Sequence, residues 1–147
     1  MKIFLATDHA GFELKNQVRD WLSAEGHEVE DCGAHEYDAQ DDFPDFIKLA
    51  ANAVAEDSVN RRAIIFGGSG QGEAMCANRY NGVRAVVYYG GATEIPALSR
   101  EHNNSNVLSI GARFVDLPAA QTAINDWLIT AALEDEKYHR RNQKLDQ

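Results

Sequence analysis

The chain has 147 residues, a formal net charge of −9 and 44% hydrophobic residues. This length is typical of one domain with a substantial core, and the composition is that of a soluble globular protein rather than a disordered or membrane protein. The acidic charge argues against nucleic acid or an anionic membrane as a partner, because attraction to phosphate backbones needs a basic surface.

The cysteines and the amino-terminal segment exclude further classes. Cys32 and Cys76 have neither the spacing of a zinc site nor the pattern of a disulfide framework. The first apolar run is broken by Asp8 and His9, and it is too short for a signal peptide or a membrane span. We therefore expect a cytoplasmic protein that forms a single domain over residues 1–147.

The predicted elements alternate between short apolar strands and amphipathic helices. Strands are expected at 2–7, 27–32, 63–66, 83–89 and 107–110. Helices are expected between the turn at 8–11 and Gly26, and then at 44–56, 73–80, 93–101, 118–132 and 134–145. This alternation is typical of a parallel sheet that is covered on both faces. We therefore expect a three-layer, Rossmann-like α/β fold with five parallel strands in a flavodoxin-like order.

A glycine-rich segment, GGSGQGE at residues 67–73, follows the third predicted strand. It lies at the carboxyl edge of the sheet, where such folds bind ligands. A Walker A loop would have lysine in place of Glu73, and a dinucleotide-binding loop would need a third glycine there. The remaining interpretation is that the amides from Gly68 to Gly72 curl into a nest for an anion or a developing oxyanion.

Glu73, directly after this loop, has two interpretations. It can be a residue of the first helical turn, where the helix dipole favours a carboxylate. It can also be a base that removes a proton next to a carbonyl while the loop amides stabilise the enolate. The local sequence leaves both open.

Two histidines are candidates for chemistry. His9 directly follows the first strand at the ligand-binding edge, and Asp8 beside it could orient a hydroxyl or a histidine. His102 lies in SREHNNSNVLSIGAR, before the fifth strand, and its polar neighbours suit either a proton shuttle or an ordinary polar turn. By contrast, residues 33–42 read as a polar, acidic loop with no assigned role.

A few cations stand out because the whole chain is acidic. Arg113 follows the fifth strand at the ligand-binding edge. Lys137 and Arg141 lie four residues apart on the last predicted helix and therefore share a face. Together with Arg113 they could clamp a phosphate.

Four segments, ATDHAGFELK, GGSGQGEAMCANR, SREHNNSNVLSIGAR and YHRRNQKL, together resemble the ribose-5-phosphate isomerase B family, which includes galactose-6-phosphate and allose-6-phosphate isomerases. The resemblance implies an isomerase without metal or cofactor that interconverts ribose 5-phosphate and ribulose 5-phosphate through a cis-enediolate. It also implies a homodimer or homotetramer whose active site is shared between subunits, with the helix at 134–145 packing on or near a partner.

The resemblance assigns roles to the residues that match the family's site. Family members use either a cysteine at the position of Gly67 or a glutamate at the position of Glu73 as the base, and this chain matches the glutamate subgroup. The remaining assignments are sugar contacts by Asp8 and His9, an oxyanion nest from Gly68, Ser69, Gly70 and Gly72, ring opening by His102, substrate binding by Asn103, and phosphate binding by Arg113 with Arg141.

One departure from the family concerns the last helix. The family's usual Arg-His pair is replaced here by Lys137-Tyr138, which exchanges a bidentate guanidinium for a point charge. Alternatives therefore include an isomerase of galactose 6-phosphate, allose 6-phosphate or a tetrose phosphate. A further alternative, from another functional class, is a non-catalytic module that binds a sugar phosphate or a flavin.

Overall fold

Five short parallel strands form the central sheet of the computed structural model, which describes residues 1–146. They are β1 Lys2–Thr7, β2 Glu28–Asp31, β3 Arg61–Gly67, β4 Ala85–Tyr88 and β5 Val107–Gly111. The strand order is β2-β1-β3-β5-β4, and every neighbouring pair is parallel. The predicted parallel α/β architecture is confirmed.

The predicted flavodoxin-like order is wrong for the last two strands. That order would place β4 beside β3, whereas here β5 lies beside β3 and β4 forms the edge. The physical reason is burial. All five residues of β5 are buried, while three of the four residues of β4 are only partly buried, which suits an edge strand.

Among residues 1–146, four helices and one 3₁₀ turn lie between the strands, and two further helices follow β5. They are the 3₁₀ turn His9–Gly11, α1 Phe12–Ala24, α2 Phe43–Glu56, α3 Gln71–Ala77, α4 Ile95–Asn103, α5 Leu117–Ile129 and α6 Glu136–Leu145. All predicted helices are present, with ends that differ by a few residues. Pro44, Pro96 and Pro118 each lie in the first turn of a helix, where a missing amide hydrogen costs nothing.

The alternation of side chains along the strands builds two cores. Ile3 and Leu5 of β1 face the layer formed by α1 and α5, where Trp127 is fully buried. Phe4 and Ala6 face the layer formed by α2 and α3. Among residues 1–146, no helix combines the length and the apolar composition needed to cross a bilayer.

Candidate active site

A cavity of about 390 Å³ opens at the carboxyl edge of the sheet, where the segments that follow β1, β3 and β5 meet. Its volume lies within the range of small-molecule sites. The lining residues are Asp8, His9, Ala10, Phe43, Gly68, Ser69, Gly72, Glu73, Arg113 and Phe114. The fold thus brings together the candidates that the sequence placed after the first, third and fifth strands.

Glu73 is the buried acid of this cavity, with only 5% of its surface exposed. It belongs to the first turn of α3. A Cβ atom placed on Gly67 would overlap its carboxylate, so the acid lies directly over the end of β3. Burial raises the pKa of Glu73, and it outweighs the lowering by the hydrogen bond from the backbone amide of Glu73 itself; the charge of Asp8 adds a smaller upward shift.

The glycine loop is held in place from β5. Gly70 precedes α3 with a φ of 79°, a left-handed conformation that glycine adopts without strain. Its carbonyl accepts hydrogen bonds from the Ser109 hydroxyl at 2.6 Å and from the Ala74 amide at 3.1 Å. The helical hydrogen bonds of α3 begin at Ala74, so the helix itself does not use the amides of its first turn. The Gln71 amide contacts Ser69 Oγ at 3.4 Å and the Glu73 amide donates to its own carboxylate, so these two amides already have partners within the loop and the first turn.

Arg113 supplies positive charge at the mouth of the cavity. Its backbone amide donates to the Gly68 carbonyl at 3.2 Å, and the amide of Ala112 donates to the Gly67 carbonyl at 2.8 Å. A Cβ atom on Gly68 would lie 3.3 Å from the Arg113 guanidinium carbon, so the guanidinium lies over the glycine loop. A side chain at position 68 would therefore require the Arg113 side chain to shift by a few tenths of an ångström.

His9 is oriented by a residue that the sequence did not single out. Its ring nitrogen Nδ1 lies 2.6 Å from Oδ1 of Asp41, whereas Oδ2 of Asp8 is 3.9 Å away. Asp8 instead accepts a hydrogen bond from the Ala10 amide at 3.0 Å and thereby caps the 3₁₀ turn. Asp41 belongs to the acidic loop before α2, and no local pattern distinguishes it from its neighbour Asp42.

The charges around His9 favour its protonated form. The hydrogen bond to Asp41 raises the pKa of His9 most, and the charges of Asp8 and Asp41 raise it further. Partial burial and the positive charge of Arg113 act in the opposite direction, but the net shift is upward.

The remaining predicted site residues lie elsewhere in the same chain. The helix α4 runs back from the carboxyl end of β4 to the amino end of β5, and His102 and Asn103 form its last turn. Asn103 lines a separate cavity with Arg84 and Ala85, where β4 begins. The two edges of the sheet are separated by the length of its strands, about 16 Å for five residues. His102 and Glu73 of one chain therefore do not share a site.

Within one chain, Lys137 and Arg141 lie on α6 beside α4, and their joint role with Arg113 in phosphate binding stays a prediction. The helix α6 packs against α4, and Asn142 donates a hydrogen bond to the His102 carbonyl at 3.3 Å. Lys137 pairs with Asp135 at 3.3 Å. These contacts keep the basic face of α6 with His102 rather than with the loop that carries Arg113.

Tyr138 covers the imidazole of His102. The two rings are stacked, with centroids 4.7 Å apart and planes inclined by 15°. The Lys137 ammonium lies 4.6 Å from the centroid of the Tyr138 ring. The substituted pair Lys137-Tyr138 is thus in direct contact with the histidine assigned to ring opening.

Comparison with known proteins identifies the family. A family model described as Ribose/Galactose Isomerase matches residues 3–145. Ribose-5-phosphate isomerase B of Mycobacterium leprae (strain TN) is 37% identical over 141 residues, which cover 96% of this chain and 85% of the relative. Probable ribose-5-phosphate isomerase B of Mycoplasma genitalium is 36% identical over 143 residues, which cover 97% and 92%.

Solved structures agree with these matches. Ribose-5-phosphate isomerase B from Mycoplasma genitalium, crystallised with bound ribulose-5-phosphate, has a TM-score of 0.92 at 35% identity, with 99% of this chain and 93% of that chain covered. The Thermotoga maritima enzyme has a TM-score of 0.90 at 33% identity, with 99% and 97% covered. The resemblance seen in the four motifs is confirmed, and the chain belongs to the Ribose/Galactose Isomerase family.

Proposed function

We propose that this chain is a metal-free aldose–ketose isomerase that interconverts ribose 5-phosphate and ribulose 5-phosphate. The observation that carries the proposal is the Glu73 carboxylate, buried where a side chain at position 67 would lie. Its raised pKa suits a group that accepts and returns a proton. The names of the relatives, and the ribulose-5-phosphate bound to the Mycoplasma genitalium protein, support this substrate pair.

One carboxylate can serve both carbons of the substrate. Glu73 removes the C2 proton of the open-chain aldose, the electron pair forms the C1–C2 double bond, and O1 takes up negative charge. The amides around the glycine loop donate to this oxygen, each contributing ~3 kcal/mol by the oxyanion-hole precedent. The O2 hydroxyl then passes its proton to O1, Glu73 returns its proton to C1, and the C2 carbonyl of the ketose forms.

A second copy of the chain completes the site in this proposal. Glu73 and His102 lie at opposite edges of one sheet, so the histidine that opens the sugar ring beside Glu73 comes from another copy. Asn103 of that copy contacts the sugar, and its Lys137 and Arg141 approach the phosphate. The helix α6 then lies at or near the contact between copies, in a homodimer or in a homotetramer built from such dimers.

The pair Lys137-Tyr138 makes the choice of sugar worth testing directly. A lysine binds phosphate as a point charge and lacks the planar fork of arginine. Tyr138 adds a ring against His102 that shapes the space next to it. Sugars of other lengths therefore belong in the same assay as ribose 5-phosphate.

The test uses the purified full-length chain. The assay supplies each of four sugars: ribose 5-phosphate, galactose 6-phosphate, allose 6-phosphate and erythrose 4-phosphate. It measures ketose formation and uptake of solvent deuterium at C1 of the ketose. We expect turnover of ribose 5-phosphate with C–H exchange, and a fall in kcat of about 10²–10⁴-fold in Glu73→Gln. The matched control is Glu25→Gln, which neutralises an exposed acid at the end of α1.

Two results contradict the proposal. One is turnover by Glu73→Gln at the wild-type rate, which would show that Glu73 is not the base. The other is binding of ribose 5-phosphate without ketose formation or deuterium uptake, which would show that the chain is a non-catalytic binding module.

A further inference from the structure

The pairing of His9 with Asp41 is more specific than a surface ion pair. A single oxygen, Oδ1 of Asp41, accepts from the His9 backbone amide at 3.1 Å and contacts the ring nitrogen Nδ1 at 2.6 Å. Two contacts to one residue fix both its backbone and its ring. The 2.6 Å separation is that of a short hydrogen bond between the imidazole and the carboxylate.

The burial of Asp41 indicates why the pair is held together. Only 9% of its side chain is exposed, and its second oxygen, Oδ2, is buried without a hydrogen-bond partner among residues 1–146. A buried carboxylate is costly unless an opposite charge and hydrogen bonds compensate it. His9 supplies both, so the loop before α2 and the turn after β1 hold the carboxylate and the imidazole together as a pair.

The surroundings of His9 determine which nitrogen meets a ligand. Asp8 and Asp41 face the ring with negative charge, Arg113 faces it with positive charge, and Tyr37 contacts it edge-on. Because Nδ1 is engaged by Asp41, Nε2 is the ring nitrogen that remains for a ligand in the cavity. In the protonated ring, Nε2 carries a hydrogen and therefore donates.

We infer that Asp41 is a positioning residue for substrate binding: it holds the ring of His9 so that Nε2 donates to the phosphate of the substrate, beside Arg113. This inference rests on the proposed function for the identity of the ligand. The geometry itself requires only an anion with acceptor oxygens. The charge on Asp41 keeps His9 cationic over a wider pH range, which suits a doubly charged phosphate.

The experiment compares Asp41→Asn with Asp45→Asn in the full-length chain. Asp45 is an exposed acid in the first turn of α2, so its change removes the same charge outside the cavity. For Asp41→Asn we expect KM for ribose 5-phosphate to rise about tenfold, with kcat changed less than threefold, and the inhibition constant of inorganic phosphate to rise in parallel. Asp45→Asn leaves all three at wild-type values.

The pH dependence separates positioning from simple destabilisation. Asp41 raises the pKa of His9, so its neutralisation lowers that pKa and the cation is lost at lower pH. The alkaline fall in kcat/KM therefore moves to lower pH in Asp41→Asn. In NMR titrations of the His9 ring, assigned with a His9→Gln variant, the midpoint moves the same way. Unchanged KM, phosphate inhibition and His9 titration would overturn the inference.

Binding of inorganic phosphate, measured by calorimetry without any sugar, distinguishes the two proposals. If the chain proves to have no isomerase activity but Asp41→Asn weakens phosphate binding, the proposed function fails and the role of Asp41 stands. If turnover is confirmed and phosphate binding is the same in Asp41→Asn as in the wild type, the proposed function stands and the role of Asp41 fails.

Discussion

Gly67 and Glu73 compete for the same space at the end of β3. Any side chain at position 67 would overlap the carboxylate, which gives a steric reason for the alternation that the resemblance implies, with a cysteine at one position or a glutamate at the other. In Gly67→Ala we expect Glu73 to move and kcat to fall about 100-fold, as for an ångström-scale misplacement of a catalytic group. Steady-state kinetics measures the effect, and circular dichroism checks that the variant is folded.

A double variant tests the same idea in the opposite direction. Gly67→Cys combined with Glu73→Ala places a thiol in the vacated space, so it is expected to be more active than Glu73→Ala alone. Wild-type kcat in Gly67→Ala would show that the carboxylate acts from elsewhere.

The raised pKa of Glu73 also predicts how stability depends on pH. Because burial makes the folded state bind this proton more tightly than the unfolded state, stability falls as pH rises from the ordinary pKa of a glutamate through the raised folded pKa, above which the full cost of the buried, ionised carboxylate is present. Glu73→Gln is therefore expected to unfold at higher urea concentration than the wild type at pH 8. The advantage disappears at pH 3.5, below the ordinary pKa of a glutamate. Equal urea midpoints for Glu73→Gln and the wild type at pH 8 would contradict a destabilising effect of the ionised Glu73 carboxylate.

At the scale of elements, α4 and α5 are joined by a buried hydroxyl. Ser105 Oγ accepts from the indole nitrogen of Trp127 at 2.8 Å and also contacts Ser99 Oγ at 2.9 Å. Ser105 follows the turn that carries His102, so this contact anchors the end of α4. The sequence pattern correctly placed both helices, but it could not indicate this connection, because Trp127 lies 22 residues after Ser105, on α5.

Ser105→Ala is expected to lower the free energy of unfolding by about 1–3 kcal/mol, because it leaves the buried indole N–H of Trp127 without an acceptor. Ser99→Ala is the matched control, since it removes a hydroxyl from the same cluster but keeps the contact between Ser105 and Trp127. Urea denaturation followed by tryptophan fluorescence measures both. An equal loss in the two variants would contradict the role given to Ser105.

At the scale of the whole molecule, the proposed shared site predicts complementation between inactive chains. Glu73→Gln and His102→Asn are each expected to be inactive alone. If each site takes Glu73 from one copy and His102 from the other, a mixed dimer contains one intact site. Random mixing after refolding from urea therefore restores about a quarter of the wild-type activity per chain, because half the dimers are mixed and each has one intact site of two.

The control for complementation is a mixture of Glu73→Gln with the double variant Glu73→Gln/His102→Asn, in which no site contains Glu73. That mixture stays inactive. If the first mixture also stays inactive while native mass spectrometry shows mixed oligomers, the two residues do not meet across copies.

The sequence by itself determined the parallel α/β architecture, since alternating apolar strands and amphipathic helices can bury their faces in few ways. It also determined the family, and with it the residues to examine, because four motifs occur in order along the chain. Those inferences rest on local patterns, which a sequence contains directly.

The tertiary structure decided what depends on distance between segments. Burial along β5 placed that strand beside β3 and left β4 at the edge. Asp41 approaches His9 across 32 residues, and it looks no different from Asp42 until the loop is folded. The separation of His102 from Glu73 follows from the direction of α4 across the sheet, because the edge at which a side chain lies depends on how the chain packs in three dimensions.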